Sequence, residues 1–271
     1  MDRKEIAQET LQIMRQGFYE YEGRRVEFST AQKKSVENSL LFTPEQALEC
    51  VRTCPKNPQR QPKLLVSGQS TVEAILDCAA NRQERVGVLN FASAKNPGGG
   101  FLGGAMAQEE SLAASSGLYQ SLCAHMTYYE TNRACKTMCY THHAIYSPDV
   151  VFFRDGQFQL LAQPVTASVL TLPAVNYGQV LQKGEDTAHA KQVMRERMKA
   201  ALALFAARGD RNLILGAYGC GVFRNDPDEI AAWWKELLEE GYGASFTHIF
   251  FAVLDHSKKQ SCITAFRKVF A

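Results

Sequence analysis

The fold is decided by residues 88–110, which read VLNFASAKNPGGGFLGGAMAQEE. The apolar run Val86–Ala92 predicts a strand, a glycine-rich segment follows it, and a helical pattern begins near Gln108. Residues that are apolar on consecutive positions are typical of a strand covered on both faces. A glycine loop between a strand and a helix leaves backbone N–H groups open to an anion, and the positive end of the helix reinforces the attraction. The stretch therefore predicts an α/β domain with an anion-binding loop.

Short apolar runs alternate with helical patterns on both sides of this stretch. Asp155-Gly156 lies between two apolar runs and predicts a hairpin, so the sheet is expected to be mixed. We predict an α/β sandwich of three layers, with helices on both faces of one sheet. The predicted strands cover 86–92, 144–153, 165–172, 213–217 and 249–254, and the predicted helices cover 109–130, 190–207 and 227–240.

The first 62 residues differ from the rest and predict a helical extension. Residues 3–16 carry apolar side chains at helical spacing, and Thr43-Pro44-Glu45-Gln46 is typical of a capped helix start. Residues 54–62 contain three prolines and predict a loop. We therefore predict a helical extension over residues 1–62 and a catalytic domain over residues 63–271.

Composition narrows the class of protein. The chain has 271 residues with 30 Lys and Arg against 28 Asp and Glu, which gives a formal charge of only +2. This balance disfavours a broad basic surface for nucleic acid or anionic lipid, so neither sequence-specific nucleic-acid binding nor membrane association is expected. The first ten residues, MDRKEIAQET, lack the apolar segment of a signal peptide. Eight scattered cysteines are then expected to be reduced thiols, as in a cytoplasmic protein.

Two familiar nucleotide motifs are excluded. Gly98, Gly100 and Gly103 formally satisfy the G-x-G-x-x-G dinucleotide pattern, but the acidic residue expected about 20 positions later is missing. The chain also lacks the G-x-x-x-x-G-K-[ST] sequence of a phosphate-binding P-loop.

A metal site is not expected either. Cys135, Cys139, His142 and His143 have the wrong spacing for zinc, and adjacent histidines rarely chelate one ion together, so buried thiols and surface histidines are predicted there. Cys220 has no histidine that the pattern places beside it, which disfavours a cysteine nucleophile. No cofactor is expected.

Three consecutive glycines, seven further residues and then Gln108-Glu109-Glu110 form a specific pattern. It resembles the signature of the poly(ADP-ribose) glycohydrolases, particularly the microbial type. The stretches Asn90–Ala92, Tyr146–Val150 and Gly216–Phe223 are also similar to that branch. The resemblance implies a macrodomain-like core and an enzyme that hydrolyses ribose–ribose O-glycosidic bonds in poly(ADP-ribose), releasing ADP-ribose.

The same resemblance implies roles for individual residues of the first glycine segment. Glu110 corresponds to the catalytic glutamate, while Glu109 and Gln108 correspond to neighbours that contact the distal ribose and orient the substrate. Either Ser93 or Asn96 contacts the distal ribose. The residues that line the diphosphate and the distal ribose are Gly98, Gly99 and Gly100.

A second glycine segment follows the predicted strand 213–217. Taken by itself, this second segment is more typical of a turn between a strand and a helix. Beside the first loop it can hold a diphosphate from the other side, which is how macrodomains bind ADP-ribose. Phe223 either stacks on the adenosine end or belongs to the core, and the family places an aromatic ring against the ligand. The segment consists of Gly219, Cys220, Gly221, Val222 and Phe223.

The two adjacent carboxylates are expected to have different roles. Residues i and i+1 on a helix diverge by about 100°, whereas glycosidases usually place carboxylates on opposite sides of the scissile bond. We expect Glu110 to donate a proton to the leaving ribose oxygen and then, as a carboxylate, to activate water, while Glu109 holds the substrate.

Two other functions remain open at this point. The first is a hydrolase that removes single ADP-ribose units from protein or nucleic acid, and the second is an ADP-ribose-binding module without catalysis. The Gln-Glu-Glu triplet disfavours the second, because binding alone needs no acid at the bond. Cleavage at the end of the polymer and internal cleavage both remain open.

Overall fold

The computed structural model describes residues 2–270 and contains nine strands and eleven α-helices within them. The strands are β1 Phe18–Tyr21, β2 Arg24–Glu27, β3 Leu40–Phe42, β4 Lys63–Ser67, β5 Val86–Ala92, β6 Ala144–Arg154, β7 Leu160–Pro173, β8 Asn212–Leu215 and β9 His248–Ala252. The helices are α1 Arg3–Gln16, α2 Ser29–Glu37, α3 Pro44–Thr53, α4 Thr71–Ala80, α5 Gln108–Ser115, α6 Leu118–Cys123, α7 Met126–Ala134, α8 Tyr177–Lys183, α9 Thr187–Arg208, α10 Pro227–Leu237 and α11 Ser261–Phe270.

Seven strands form one mixed sheet in the order β3-β6-β7-β5-β8-β9-β4. The neighbours from β7 to β4 are all parallel, whereas β6 runs antiparallel to both β3 and β7. The hairpin predicted at Asp155-Gly156 joins β6 to β7, which confirms the mixed sheet. Because the five parallel strands share one direction, the loops that follow them gather at one edge of the sheet.

Helices cover both faces of this sheet, as predicted. Consecutive residues of β5 alternate between the two resulting cores: Leu89 packs with Met198 and Trp234, while Val88 packs with Ile75 and Leu112. This alternation is the reason that the strand is apolar at successive positions. The three-layer α/β/α prediction is confirmed.

The helix predicted over residues 109–130 is instead three short helices, α5, α6 and α7. Ser116 is extended and forms a β-bridge with Phe152, and the Gly117 N–H donates to the Val151 carbonyl at 2.9 Å. A bridge to β6 is a non-local contact, so helical spacing alone could not predict the break. The last of these helices then begins after His125, whose backbone is not helical.

The first 62 residues contain α1, α2 and α3 together with three strands that were not predicted. β1 and β2 form a separate hairpin, and β3 pairs with β6 at the edge of the main sheet. The predicted cap of α3 is present, because the Thr43 hydroxyl accepts from the Gln46 N–H at 3.3 Å. The boundary between residues 1–62 and 63–271 stays a prediction.

A buried carboxyl in the sheet region makes stability depend on pH. The Tyr146 hydroxyl donates to both oxygens of Asp210, at 3.1 and 2.9 Å, and burial raises the pKa of Asp210 to about 7. In the unfolded chain this carboxyl loses its proton near pH 4. The folded state therefore holds an extra proton between these values, and the free energy of unfolding falls as pH rises through that window.

We expect Asp210→Asn to remove this contribution. Its stability relative to wild type should rise by up to about 1.4 kcal/mol per pH unit between roughly pH 5 and pH 7. Urea unfolding at several pH values measures the difference, with Glu239→Gln as the control at an exposed carboxyl. A difference that does not change with pH would mean that Asp210 is ionised in the folded protein.

Candidate active site

The first glycine loop follows β5 and is shaped by positive φ angles. Gly98 and Gly99 have φ values of 64° and 61°, a region that favours glycine. The Gly99 N–H donates to the Asn96 carbonyl at 3.0 Å, and the Phe101 N–H donates to that of Gly98 at 3.0 Å. These turns bring the loop back over the start of α5.

Gln108 ties the start of α5 to β5. Its Oε1 accepts from the Phe91 N–H and its Nε2 donates to the Leu89 carbonyl, both at 2.8 Å. β8 pairs with β5 only as far as Val88. Beyond that residue, the side-chain amide of Gln108 supplies the hydrogen bonds that the neighbouring strand no longer makes. The resemblance assigns Gln108 to the substrate, but in the structure both the oxygen and the nitrogen of its side-chain amide hydrogen-bond to β5.

Glu109 is the buried member of the carboxylate pair. It is 3% exposed, and its Oε2 accepts from the Ser93 N–H at 2.7 Å while Oε1 accepts from Asn90 Nδ2 at 3.2 Å. Burial, and to a lesser extent the nearby charge of Glu110, raise the pKa of Glu109 to about 8 against the lowering effect of the hydrogen bonds from Ser93 and Asn90. Burial therefore favours the protonated, neutral form of Glu109.

Glu110 is half-buried and faces the glycine loop. The Gly100 N–H donates to its Oε1 at 2.8 Å, and no hydrogen bond to Oε2 is found among residues 2–270. A Cβ on Gly99 would collide with Glu110 Oε1 and would lie 3.0 Å from Glu109 Oε2. The two carboxyl groups thus meet at Gly99 rather than diverging, because both side chains bend back onto the loop. Their surroundings nevertheless differ, since Glu109 is buried and Glu110 is half-buried.

The two polar candidates for the distal ribose occupy different settings. The Ser93 hydroxyl accepts from the N–H groups of Lys95 and Asn96 at 3.2 and 3.1 Å, so it holds the turn that begins the loop. Asn96 is exposed. The Asn96 side chain is thus the more accessible of the two.

The second glycine loop follows β8 and is held by a buried asparagine. Gly219 has a φ of 74°, and a Cβ there would lie 2.6 Å from Asn225 Nδ2. That amide donates to the Gly219 carbonyl at 3.0 Å and to the Val175 carbonyl at 2.8 Å, which joins the loops after β8 and β7. Gly221 is exposed with open space at its Cα.

The apolar residues of the second loop differ in exposure. Val222 is 83% exposed, whereas Phe223 is half-buried, packs against the core and has its ring 6.3 Å from that of Tyr140. Cys220 is half-buried, and its thiol donates to the Tyr218 carbonyl at 3.8 Å rather than to a histidine. The loop thus presents a backbone flanked by two apolar side chains.

The two loops lie side by side because β5 and β8 are parallel neighbours. The rings of Phe91 in β5 and Tyr218 in the second loop have centroids 5.6 Å apart. A Cβ on Gly216 would lie 2.6 Å from the Ala252 carbonyl oxygen, so only glycine lets the second loop leave the sheet at this point. The structure therefore brings both predicted loops to one edge of the sheet, with Glu110 at the first.

Sequence reasoning missed the polar residues that hold this arrangement. Asn90 is fully buried in β5 and donates both to Glu109 and to Thr171 Oγ1, at 3.2 and 3.1 Å. The sequence signal for Asn90 was that it is a single polar side chain in an otherwise apolar strand, where a buried polar group needs hydrogen-bond partners. Asn225 gave a weaker signal, because the neighbouring Asp226 accounts for the start of α10 by itself.

The segment from Cys135 to His143 differs from the prediction in one respect. His142 and His143 are half-buried rather than on the surface, and burial together with the charge of Arg197 lowers the pKa of His142 to about 3. Within residues 2–270, no group of three or more His, Cys, Asp or Glu side chains is placed to hold a metal ion. In the same range, no helix is long and apolar enough to cross a membrane.

A mixed sheet between two helical layers, with two glycine loops at adjacent parallel strands, defines a macrodomain-like fold with a carboxyl group at its binding edge. Residues 7–155 match the family model "Microbial-type PARG, catalytic domain", where PARG is poly(ADP-ribose) glycohydrolase. The chain belongs to the microbial-type poly(ADP-ribose) glycohydrolases. A comparison with curated proteins finds no match.

Solved structures agree with this assignment. The poly(ADP-ribose) glycohydrolase from Thermomonospora curvata is 36% identical over 99% of each chain, with a TM-score of 0.94. Its complex with the inhibitor ADP-HPD gives 36% identity over 98% of each chain and a TM-score of 0.92. The enzyme from Deinococcus radiodurans, in complex with ADP-ribose, is 41% identical over 88% of this chain and 96% of its own, with a TM-score of 0.83.

Proposed function

We propose that this protein hydrolyses the ribose–ribose O-glycosidic bonds of poly(ADP-ribose) and releases ADP-ribose, with Glu110 as the catalytic acid and base. The observation that carries the proposal is the position of Glu110. One oxygen is fixed by the Gly100 N–H at 2.8 Å, and the group lies at the end of a glycine loop rather than in the core. A carboxyl with one oxygen held and the other without a protein partner can meet a reacting atom in a defined orientation.

The two glycine loops would hold the diphosphate of the terminal ADP-ribose unit. The N–H groups of Gly98 on one side, and of Gly219 and Gly221 on the other, have no hydrogen-bond partner among residues 2–270. Those of Gly99, Gly100 and Cys220 donate within the protein and shape the loops. Backbone N–H groups at such loops bind phosphate oxygens without a charged side chain. This mode of binding agrees with the small formal charge of the chain, +2.

Hydrolysis then proceeds in two proton transfers on Glu110. The protonated carboxyl gives its proton to the ribose oxygen of the leaving unit as the bond from that oxygen to the anomeric carbon breaks. The resulting carboxylate takes a proton from water while the water oxygen bonds to the oxocarbenium-like carbon. Glu110 regains its proton, and the net reaction consumes one water.

Glu109 would position the substrate and the loop. Its oxygens hold Ser93 and Asn90, at the point where β5 becomes the first loop. Because burial favours the neutral form of Glu109, this carboxyl adds little repulsion toward a dianionic diphosphate. Gln108 supports the same junction through its bonds to β5.

We expect Phe223→Ala to weaken ADP-ribose binding about tenfold without unfolding the protein, since stacking on a base contributes roughly 1–3 kcal/mol. Calorimetric titration with ADP-ribose measures the change. Leu48→Ala, at an exposed leucine of α3, serves as the control. Unchanged affinity in Phe223→Ala would assign this ring to the core.

The remaining expectations concern partners and surroundings. We propose that ADP-ribosylated macromolecules are the physiological substrates, that the protein associates with neither membranes nor specific nucleic-acid sequences, and that it is cytoplasmic. Support comes from the near-balanced charge and from eight cysteines, which are free in the structure. We also expect catalysis by carboxyl and water alone, so activity should persist in a chelator.

Incubation with three ligands tests the function. The proposal expects shortening of purified poly(ADP-ribose) with release of ADP-ribose, in buffer with or without EDTA. If single units are released from mono-ADP-ribosylated protein while the polymer stays intact, the protein is instead a mono-ADP-ribosyl hydrolase. If free ADP-ribose binds but neither substrate is turned over, the protein is instead an ADP-ribose-binding module without catalysis.

A further inference from the structure

A fully buried cation lies behind the two glycine loops. Arg197 is on α9 and is 0% exposed, and its Nη1 donates to the carbonyl oxygens of Cys139 at 2.7 Å and Pro173 at 2.9 Å. Pro173 ends β7 and is paired with Ala92, the last residue of β5. Arg197 therefore lies beneath the edge of the sheet from which the first loop departs.

The charge of Arg197 is not balanced within the described chain. None of the ion pairs found in residues 2–270 includes it, and its Nε and Nη2 have no hydrogen-bond partner in that range. Arg154, which is also buried, is by contrast paired with Glu9 at 2.6 Å. Burial lowers the pKa of Arg197, but a guanidinium stays protonated in proteins. An uncompensated buried charge is strongly destabilising, so its presence needs a reason.

Two buried tyrosines, Tyr128 and Tyr218, lie near Arg197. The Tyr128 hydroxyl donates to the Ser93 carbonyl at 3.4 Å, and the Tyr218 hydroxyl donates to the Leu172 carbonyl at 2.9 Å. Tyr218 directly precedes Gly219 of the second loop. Burial raises the pKa of both tyrosines, so neither supplies a negative charge. Protein rather than solvent thus lies between Arg197 and the loops, so the electrostatic field of its charge is weakly screened there.

We propose that Arg197 is a positioning residue for the substrate, and that its buried charge is balanced by the diphosphate of ADP-ribose when the two glycine loops bind it. The residue acts across the floor of the site by its field and makes no contact with the ligand. The inference rests on the proposed function, since it requires a diphosphate in the loops.

Three variants of Arg197 test the proposal in the full-length protein. Arg197→Gln removes the charge but keeps an amide that can donate to one carbonyl, and Arg197→Met removes the charge at similar volume. Arg197→Lys keeps the charge. We expect both neutral variants to bind ADP-ribose about tenfold more weakly and Arg197→Lys to stay within roughly threefold of wild type. For polymer hydrolysis, KM should rise while kcat changes little.

Titration with adenosine distinguishes an electrostatic role of Arg197 from a structural one, because adenosine lacks the diphosphate. Its affinity should be the same in wild type and in every folded variant. Arg195→Met removes a charge from the half-exposed side of α9 and should leave ADP-ribose affinity unchanged. Equal loss of adenosine and ADP-ribose binding, or a tenfold loss in Arg197→Lys, would overturn the proposal, and the Lys variant decides the matter if neither neutral variant folds. Failure of wild type itself to bind ADP-ribose would instead refute the proposed function.

Discussion

Glu110→Gln is expected to lower the rate of ADP-ribose release from polymer by roughly 100- to 10,000-fold, the range typical of lost general acid–base catalysis. The amide keeps the shape of the side chain and an oxygen that can accept from the Gly100 N–H, as Glu110 Oε1 does at 2.8 Å. It cannot deliver a proton to the leaving oxygen or take one from water. Initial rates and calorimetric titration of the same preparation separate the loss of chemistry from the loss of binding.

ADP-ribose affinity should stay nearly constant in Glu110→Gln, because we propose that the two loops, and not this carboxyl, hold the diphosphate. Glu109→Gln should impair positioning with a smaller loss of turnover. Glu130→Gln, at an exposed glutamate of α7, is the matched control and should be fully active. Full activity in Glu110→Gln would refute the assigned mechanism even if ADP-ribose bound as expected.

Gly99→Ala is expected to lower polymer turnover about 100-fold or more, because misplacing a catalytic group by about 1 Å has an effect of that size. The residue has a φ of 61°, and its added Cβ would collide with Glu110 Oε1 and lie 3.0 Å from Glu109 Oε2. Both carboxyl groups must then move. The measurement is the initial rate of polymer hydrolysis, together with the melting temperature.

Gly103→Ala provides the comparison within the same segment. A Cβ on Gly103 would meet nothing within 4 Å, and Gly103 is not among the glycines with positive φ. This variant should retain activity within about threefold of wild type, since it moves neither carboxyl group. Equal activity in the Ala variants of Gly99 and Gly103 would show that the loop does not constrain the glutamates.

Local sequence signals predicted the elements that depend on local physics. Val86–Ala92 is apolar at successive positions because both of its faces are covered, and β5 has these same limits. The Thr43 cap and the Asp155-Gly156 hairpin rest on contacts between residues a few positions apart, and both are present. The glycine triplet and Gln-Glu-Glu predicted a site that the fold gathers at one edge of the sheet.

Features that depend on distant contacts were not predictable in this way. The break at Ser116 requires β6, the strand β3 has three residues and is defined by its pairing with β6, and Asn225 acts by joining loops after two different strands. Glu109 is buried where α5 packs on β5, and this burial raises its pKa although the hydrogen bonds from Ser93 and Asn90 lower it. Arg197 is polar in a helix whose buried face is otherwise mostly apolar, which was the signal that helical spacing offered.

The identity of the product released from purified poly(ADP-ribose) tests the central claim most directly. Wild-type protein incubated with polymer should release ADP-ribose with its diphosphate intact, identified by mass spectrometry, because the bond that breaks is the ribose–ribose bond beside Glu110. The Glu110→Gln protein in the same assay should release almost none. Release of phosphoribosyl-AMP, which requires cleavage of the diphosphate, or no release of product by wild type, would contradict the account.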